Sequence, residues 1–159
     1  TVYMLSPQGK IIGKYRKIHL FGNEKKYLCR GGKISVCNTD FGRIGLSICY
    51  DLRFPELYRQ MTADNPPEIL VNCAAWPMSR LEHWKLLSRA RALENQAIFI
   101  ACSCRGKNNG GHFCGTGLIC APEGKILCEA SDSIISHYID IQSVYKYREE
   151  FSALKDRIL

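Results

Sequence analysis

The chain has 159 residues, 46% of them hydrophobic and 23% charged, which suits one globular domain with its own core. No apolar run reaches the roughly 18 residues of a membrane span, and the opening TVYMLSPQGK lacks the charged-then-apolar order of a secretory leader, so a soluble cytoplasmic protein is expected. The 22 basic and 15 acidic residues give a net charge of +7, but KYRK, EKK, SRARALE and KYREE are scattered among acids, which points away from nucleic acid and towards a solvated surface suited to anionic substrates.

In chain order, TVYMLS reads as a strand, PQGK as a turn and IIGKYRKIHLF as a returning extended segment. KISVCNTD and RIGLSIC, joined at FG, read as a hairpin; alternation puts Ile44, Leu46 and Ile48 on one face of its second strand, with Gly45, Ser47 and Cys49 on the other. Pro55 fits the first position of a helix over PELYRQMTA. EILVNCAA and AIFIACSC are continuous apolar runs of the kind found in fully buried strands. Between them SRLEHWKLLSRARALENQ predicts a helix with Leu81, Trp84, Leu87, Ala90 and Leu93 on its apolar face and Ser79 as cap. RGKNNGGH reads as a polar loop, GTGLICAPEGKILCEA as a hairpin turning at PEG, and SVYKYREEF as a closing helix. Strands alternating with helices, plus hairpins, predict a layered α/β architecture.

Nine cysteines, an odd number, lie mostly in or beside apolar strand runs rather than in short turn-rich sequence, which excludes a secreted disulfide framework. They are expected to fill the core as small hydrophobes. The sequence contains no C-x-x-C pair, and Cys102, Cys104, Cys114 and Cys120 are poorly spaced as zinc ligands.

Cys49 differs in position, because it closes an apolar strand just before a helix start. Such a corner exposes backbone N–H groups to a carbonyl oxygen, and the helix N-terminus is expected to lower the thiol pKa. Lys17, flanked by Ile18 and Leu20, is not placed as an ordinary solvated charge, and it shares a face of an extended segment with His19. Glu24 follows at a distance that allows pairing with it. A thiol, a cation and a carboxylate make a workable set for acyl transfer.

YRKIHLF, GLSICYDLRFPEL, HWKLLSRARALENQ and GTGLICAPEGKIL, in that order, resemble the nitrilase superfamily of carbon–nitrogen hydrolases over essentially the whole chain. The resemblance implies an α-β-β-α sandwich and a Glu-Lys-Cys catalytic set, with Cys49 as nucleophile, Lys17 as catalytic lysine and Glu24 as the assisting glutamate. It also implies a Tyr50 backbone N–H at the oxyanion site, with Asp51, Arg53 and Glu56 bracing the corner. AAWPMSRLEHWKLLSRARALENQ and NNGGHFCGTG resemble bacterial omega-amidases, which implies the omega-amide of a small dicarboxylate such as 2-oxoglutaramate as substrate, with Trp76 near the pocket or wedged beneath the following helix. Trp84 is expected in the core or at a subunit contact, His19 as a structural hydrogen-bonding residue, and His83 and His112 on the surface. No cofactor, metal, nucleic acid or membrane is implied, and the complete form is expected to be a homodimer. The first glutamate of the family set has no counterpart upstream of Cys49; Glu68, Glu82, Glu94, Glu123 and Glu129 all follow it. Residues 1–159 are therefore expected to be the C-terminal portion of one hydrolase domain. A nitrilase or N-carbamoyl hydrolase on the same scaffold, or a non-catalytic interaction module, are the alternatives.

Overall fold

The computed structural model describes residues 1–108, 111–131 and 133–158. Strands β1 (Val2–Leu5) and β2 (Ile11–Tyr15) form an antiparallel hairpin closed by the Ser6–Lys10 turn, as expected. A single helical turn, α1 (Glu24–Tyr27), was not foreseen from the sequence. β3 (Val36–Thr39) and β4 (Gly42–Ile48) make the anticipated second hairpin. A 3₁₀ turn (Cys49–Arg53) then leads into α2 (Pro55–Met61), with Pro55 at its start. β5 (Ile69–Ala74), a 3₁₀ turn (Met78–Arg80), α3 (Leu81–Asn95) and β6 (Ile98–Ser103) follow. β7 (Arg105–Asn108) and β8 (Gly111–Cys114) pair antiparallel where a polar loop was expected; Asn109 and Gly110 of that loop lie outside the described residues. β9 (Thr116–Cys120), β10 (Ile126–Ser131) and α4 (Gln142–Glu150) complete the chain.

Six strands form one sheet in the order β10-β9-β6-β5-β4-β3. The central β4, β5 and β6 are parallel, and the outer pairings are antiparallel. Parallel neighbours need a covering crossover, which α2 and α3 supply on one face. The buried Tyr58 of α2 donates its hydroxyl to Ser47 Oγ at 2.8 Å, and its ring lies 5.8 Å from that of Phe99. Glycine at position 45 lets α2 come close, since a Cβ there would lie 2.7 Å from Leu70 Cδ2 and 3.2 Å from Met61 Sδ. Ile44 faces the opposite way, towards Met4 and Ile12 of the β1–β2 hairpin, so the alternation expected for β4 holds. A second apolar cluster joins Ile98 and Ile119 to Val144 of α4.

Three expectations change. In α3 the buried positions are Trp84, Ser88, Arg91, Ala92 and Asn95, while Leu93 is exposed. Steps of three residues drift by about 60° each around a helix, so Leu81 to Leu93 cannot share one face. The buried set steps by three and four; Arg91 Nε donates to the Leu52 carbonyl at 3.0 Å and Asn95 Nδ2 to that of Arg91 at 2.9 Å, while Ser88 Oγ has no hydrogen-bond partner among the described residues. Ser79 does not cap α3; it sits within the preceding 3₁₀ turn, and the helix starts without a side-chain cap. Cys37, Cys114 and Cys120 are core residues, but Cys73, Cys102 and Cys104 are exposed at the C-terminal ends of β5 and β6.

Candidate active site

β4 lies between β5 and the edge strand β3, and Cys49 is the first residue beyond its end. Its backbone lies in the left-handed region at φ 49°, a conformation that non-glycine residues adopt only where the surroundings impose it. Asp51, fully buried, imposes it here. One carboxylate oxygen accepts the Ile48 N–H at 3.0 Å and the Tyr15 hydroxyl at 2.8 Å. The other accepts the His19 N–H at 3.0 Å and lies 2.8 Å from His19 Nδ1. The His19 ring in turn stacks on Phe54 with centroids 3.7 Å apart. Asp51 and His19 thus have the bracing roles expected of them.

Lys17 lies beyond the end of β2, in a loop rather than on the extended segment expected to align it with His19. Gly31 makes that loop possible: its N–H donates to the Lys17 carbonyl at 2.7 Å, and a Cβ there would collide with Arg16 O. The Lys17 side chain is only 11% exposed, and its Nζ donates to both oxygens of Glu24, at 2.9 and 2.7 Å. Glu24 also accepts the Phe21 N–H at 2.8 Å. Burial pulls the Glu24 carboxyl pKa up, but the Lys17 and Phe21 hydrogen bonds outweigh it and hold the group below the ordinary carboxylate value.

Burial has the opposite outcome at Cys49. It is the largest influence and pushes the thiol above its ordinary pKa; the Lys17 cation and the Tyr50 backbone N–H pull it down, and Glu24 adds a smaller upward push. The expected lowering by the helix terminus therefore does not hold. The 3₁₀ turn separates the cysteine from α2, and desolvation exceeds what the local dipoles supply.

A pocket of about 220 Å³ opens at Cys49, walled by Tyr50, Trp76, Phe113 and the guanidinium-bearing Arg53 and Arg80. Trp76 combines its two expected roles: it lines this pocket, and it packs on Trp84 of α3 with centroids 5.2 Å apart. Trp84 is core, donating its indole N–H to Thr116 O at 3.1 Å. His112 is exposed; His83 is also exposed, within reach of Arg53 Nη2 at 3.3 Å. Arg53 was expected to brace the corner by ion pairing. Instead its guanidinium stacks over Trp76 at 4.9 Å and faces the pocket. Sequence reasoning missed Arg80 entirely, because an arginine three residues after Pro77 in a short irregular stretch carries no periodic signal. Among the described residues the pocket lining contains no carboxylate. Glu68, Glu94 and Glu129 are paired with Arg43, Arg91 and Lys85, while Glu82 and Glu123 are exposed. Nor do three His, Cys, Asp or Glu side chains converge as metal ligands among the described residues.

Residues 1–149 match the carbon-nitrogen hydrolase family. The chain is 38% identical to 2-oxoglutaramate amidase of Bacillus subtilis, over 98% of its own length and 61% of that protein. It is 35% identical to 2-oxoglutaramate amidase of Paenarthrobacter nicotinovorans, over 99% of its length and 56% of the relative. The chain thus spans somewhat over half the length of the curated relatives it matches. Its fold superposes on Saccharomyces cerevisiae Nit3, of the nitrilase superfamily, with a TM-score of 0.84 and 33% identity, covering 95% of this chain and 56% of Nit3. A CN-hydrolase superfamily protein from Xanthomonas campestris superposes with a TM-score of 0.88 at 28% identity, over 97% and 62% of the two chains. An amidase from Nesterenkonia, 25% identical with a TM-score of 0.76 over 81% and 50% of the two chains, carries a covalent acetamide adduct on its active-site cysteine. The α/β fold is therefore that of the nitrilase superfamily, and the chain belongs to the carbon-nitrogen hydrolase family.

Proposed function

We propose that Cys49 is the nucleophile of an amidase acting on the omega-amide of a small dicarboxylate such as 2-oxoglutaramate. The observation that carries this reading is the constrained Cys49 corner, which opens onto a small pocket and lies under the electrostatic influence of the Lys17–Glu24 pair. The pocket volume falls below the ~300–1,000 Å³ of drug-sized sites, which suits a short amide. Kinship with two 2-oxoglutaramate amidases supports this substrate class over nitriles and N-carbamoyl compounds.

In the proposed cycle the thiolate of Cys49 attacks the amide carbon, while Lys17 Nζ and the Tyr50 N–H stabilise the negative oxygen of the tetrahedral intermediate. Glu24 holds Lys17 in place through two hydrogen bonds. The proton taken from Cys49 passes to the amide nitrogen, so collapse expels ammonia and leaves a thioester; water then gives a proton to the same acceptor and attacks the thioester, and that proton returns to the departing sulfur as the acid is released and the thiol regenerated. Trp76 and Tyr50 shape the substrate pocket. Because the Cys49 thiol is pushed up and the lining holds no carboxylate among the described residues, its proton acceptor is a carboxylate from outside them. The segment bearing it completes a single hydrolase domain of which residues 1–159 are the C-terminal portion, and the completed protein assembles as a homodimer.

The test is ammonia release from 2-oxoglutaramate, measured on the chain alone and on the chain joined to the unmatched remainder of the Bacillus subtilis relative. The joined form is expected to turn over and the chain alone to be silent. Cys49→Ala in the joined form should abolish release while leaving the circular dichroism unchanged. Turnover by the Cys49→Ala protein beyond a few per cent of its parent would end the assignment.

A further inference from the structure

Three features stand out beyond Cys49, Lys17 and Glu24. The exposed thiols Cys73 and Cys102 are register partners on adjacent parallel strands, but nothing else at the sheet ends points to a ligand. The exposed apolar residues of the β1–β2 hairpin have nothing in the structure that shows what covers them. The third feature is the pair of guanidinium groups in the Cys49 pocket, and it carries further.

Arg53 and Arg80 reach the same pocket from neighbouring turns, one after β4 and the other after β5, at the C-terminal ends of two adjacent parallel strands. Among the described residues neither has a carboxylate partner, although Lys17, Arg43, Lys85 and Arg91 do. The remaining wall is largely apolar, with Trp76 and Phe113 prominent. The Arg53 side chain and the turn that bears Arg80 are held. Arg53 lies over the Trp76 ring at 4.9 Å. The turn bearing Arg80 is fastened by the Trp76 indole N–H, which donates to the Arg80 carbonyl at 2.7 Å, while the Arg80 N–H donates to Pro77 O at 3.0 Å. The β7–β8 pair secures that turn from the other side, because the Cys114 N–H donates to Trp76 O at 2.8 Å. The Arg80 guanidinium itself sits over the Phe21 ring at 5.8 Å. Two planar cations against an apolar wall favour a planar anion, and guanidinium groups bind carboxylates through paired hydrogen bonds.

We propose that Arg80, assisted by Arg53, is the specificity-determining residue that binds the free carboxylate of a dicarboxylate monoamide whose amide end lies at Cys49. The assignment rests on the amidase reading for the orientation of the substrate, but the carboxylate site itself does not depend on turnover. Arg80 is the reader because its exposed side chain has only a ring contact to hold it, whereas Arg53 is already engaged by Trp76 and His83.

The experiment follows alkylation of Cys49 by iodoacetamide on the 159-residue chain, resolved by site with mass spectrometry, at low ionic strength and with increasing 2-oxoglutarate. The expected result is that 2-oxoglutarate slows reaction at Cys49 and leaves the exposed Cys29 unaffected. Arg80→Ala should need about 10- to 100-fold more 2-oxoglutarate for equal protection, the scale of one charge-assisted hydrogen-bonded contact. Arg80→Lys should retain part of the effect, and butyramide, which has no carboxylate, should protect both chains alike. Absence of protection in the parent chain, or equal protection in parent and Arg80→Ala, would overturn the proposal. Protection that depends on Arg80, without ammonia release by the joined form, would remove the amidase reading and leave the carboxylate site standing. Ammonia release without that dependence would do the reverse.

Discussion

At the scale of single residues, the Cys49 thiol sits between opposing influences, and their signs can be tested separately. Lys17 pulls its pKa down, while burial and Glu24 push it up. Replacing Lys17 with Gln should move the inflection of Cys49 alkylation to higher pH. Glu24→Gln should move it to lower pH, because a negative charge near the thiol is removed and Lys17 Nζ is released from its carboxylate. Site-resolved alkylation rates across a pH series check both directions; shifts of the same sign would show that neither charge acts on the thiol. In the joined form Lys17→Gln should cost about 100- to 1,000-fold in turnover, the usual loss of one oxyanion donor. Lys17→Arg should not restore it, since a planar guanidinium cannot replace a compact ammonium at the same point. The depressed Glu24 carboxyl has its own consequence. Its contribution to stability is present above the ordinary carboxylate pKa and is lost as pH falls through the lower folded value.

At the scale of elements, the position of the corner depends on how β4 is clamped to α2. Ser47 Oγ donates to Val71 O at 2.8 Å and accepts from Tyr58 Oη at 2.8 Å and Asn72 Nδ2 at 2.9 Å, tying two parallel strands to the helix. Burial pushes the Tyr58 hydroxyl pKa well up, so it acts as a donor throughout the physiological range. Tyr58→Phe should therefore destabilise by about 1–2 kcal/mol, the cost of one buried hydrogen bond, as read from urea unfolding. It should also raise the mobility of the Cys49 turn, measurable as faster amide exchange at Tyr50. An unchanged midpoint would show that Ser47 and Asn72 satisfy each other without the phenol.

At the scale of the whole molecule, the β1–β2 hairpin leaves apolar surface open. Leu5 (56%), Ile11 (63%) and Ile12 (42%) are exposed on the β1–β2 hairpin, and β3 forms an edge of the six-stranded sheet. Exposed apolar surface and an open strand edge both favour pairing with another chain. The 159-residue chain should therefore self-associate in sedimentation velocity, and joining it to the unmatched part of a relative should yield a discrete species. A monodisperse monomer of the chain alone would contradict this.

Much of this was legible in the amino-acid sequence. Period-2 alternation in RIGLSI, Pro55 at a helix start and the apolar runs of β5 and β6 reflect backbone and burial preferences that act over a few residues, so the strands, the crossover helices and the Cys49 corner could be read directly. The Lys17–Glu24 pair was within reach because seven residues separate its members. Tertiary structure alone decided the rest. The raised thiol pKa depends on how much water the fold removes from Cys49, and no local pattern encodes desolvation. Asp51 became the hub of the corner through partners 36 and 32 residues away in Tyr15 and His19. Arg53 and Arg80 came to share one pocket because β4 and β5 lie side by side, an adjacency set by sheet order rather than by spacing along the chain.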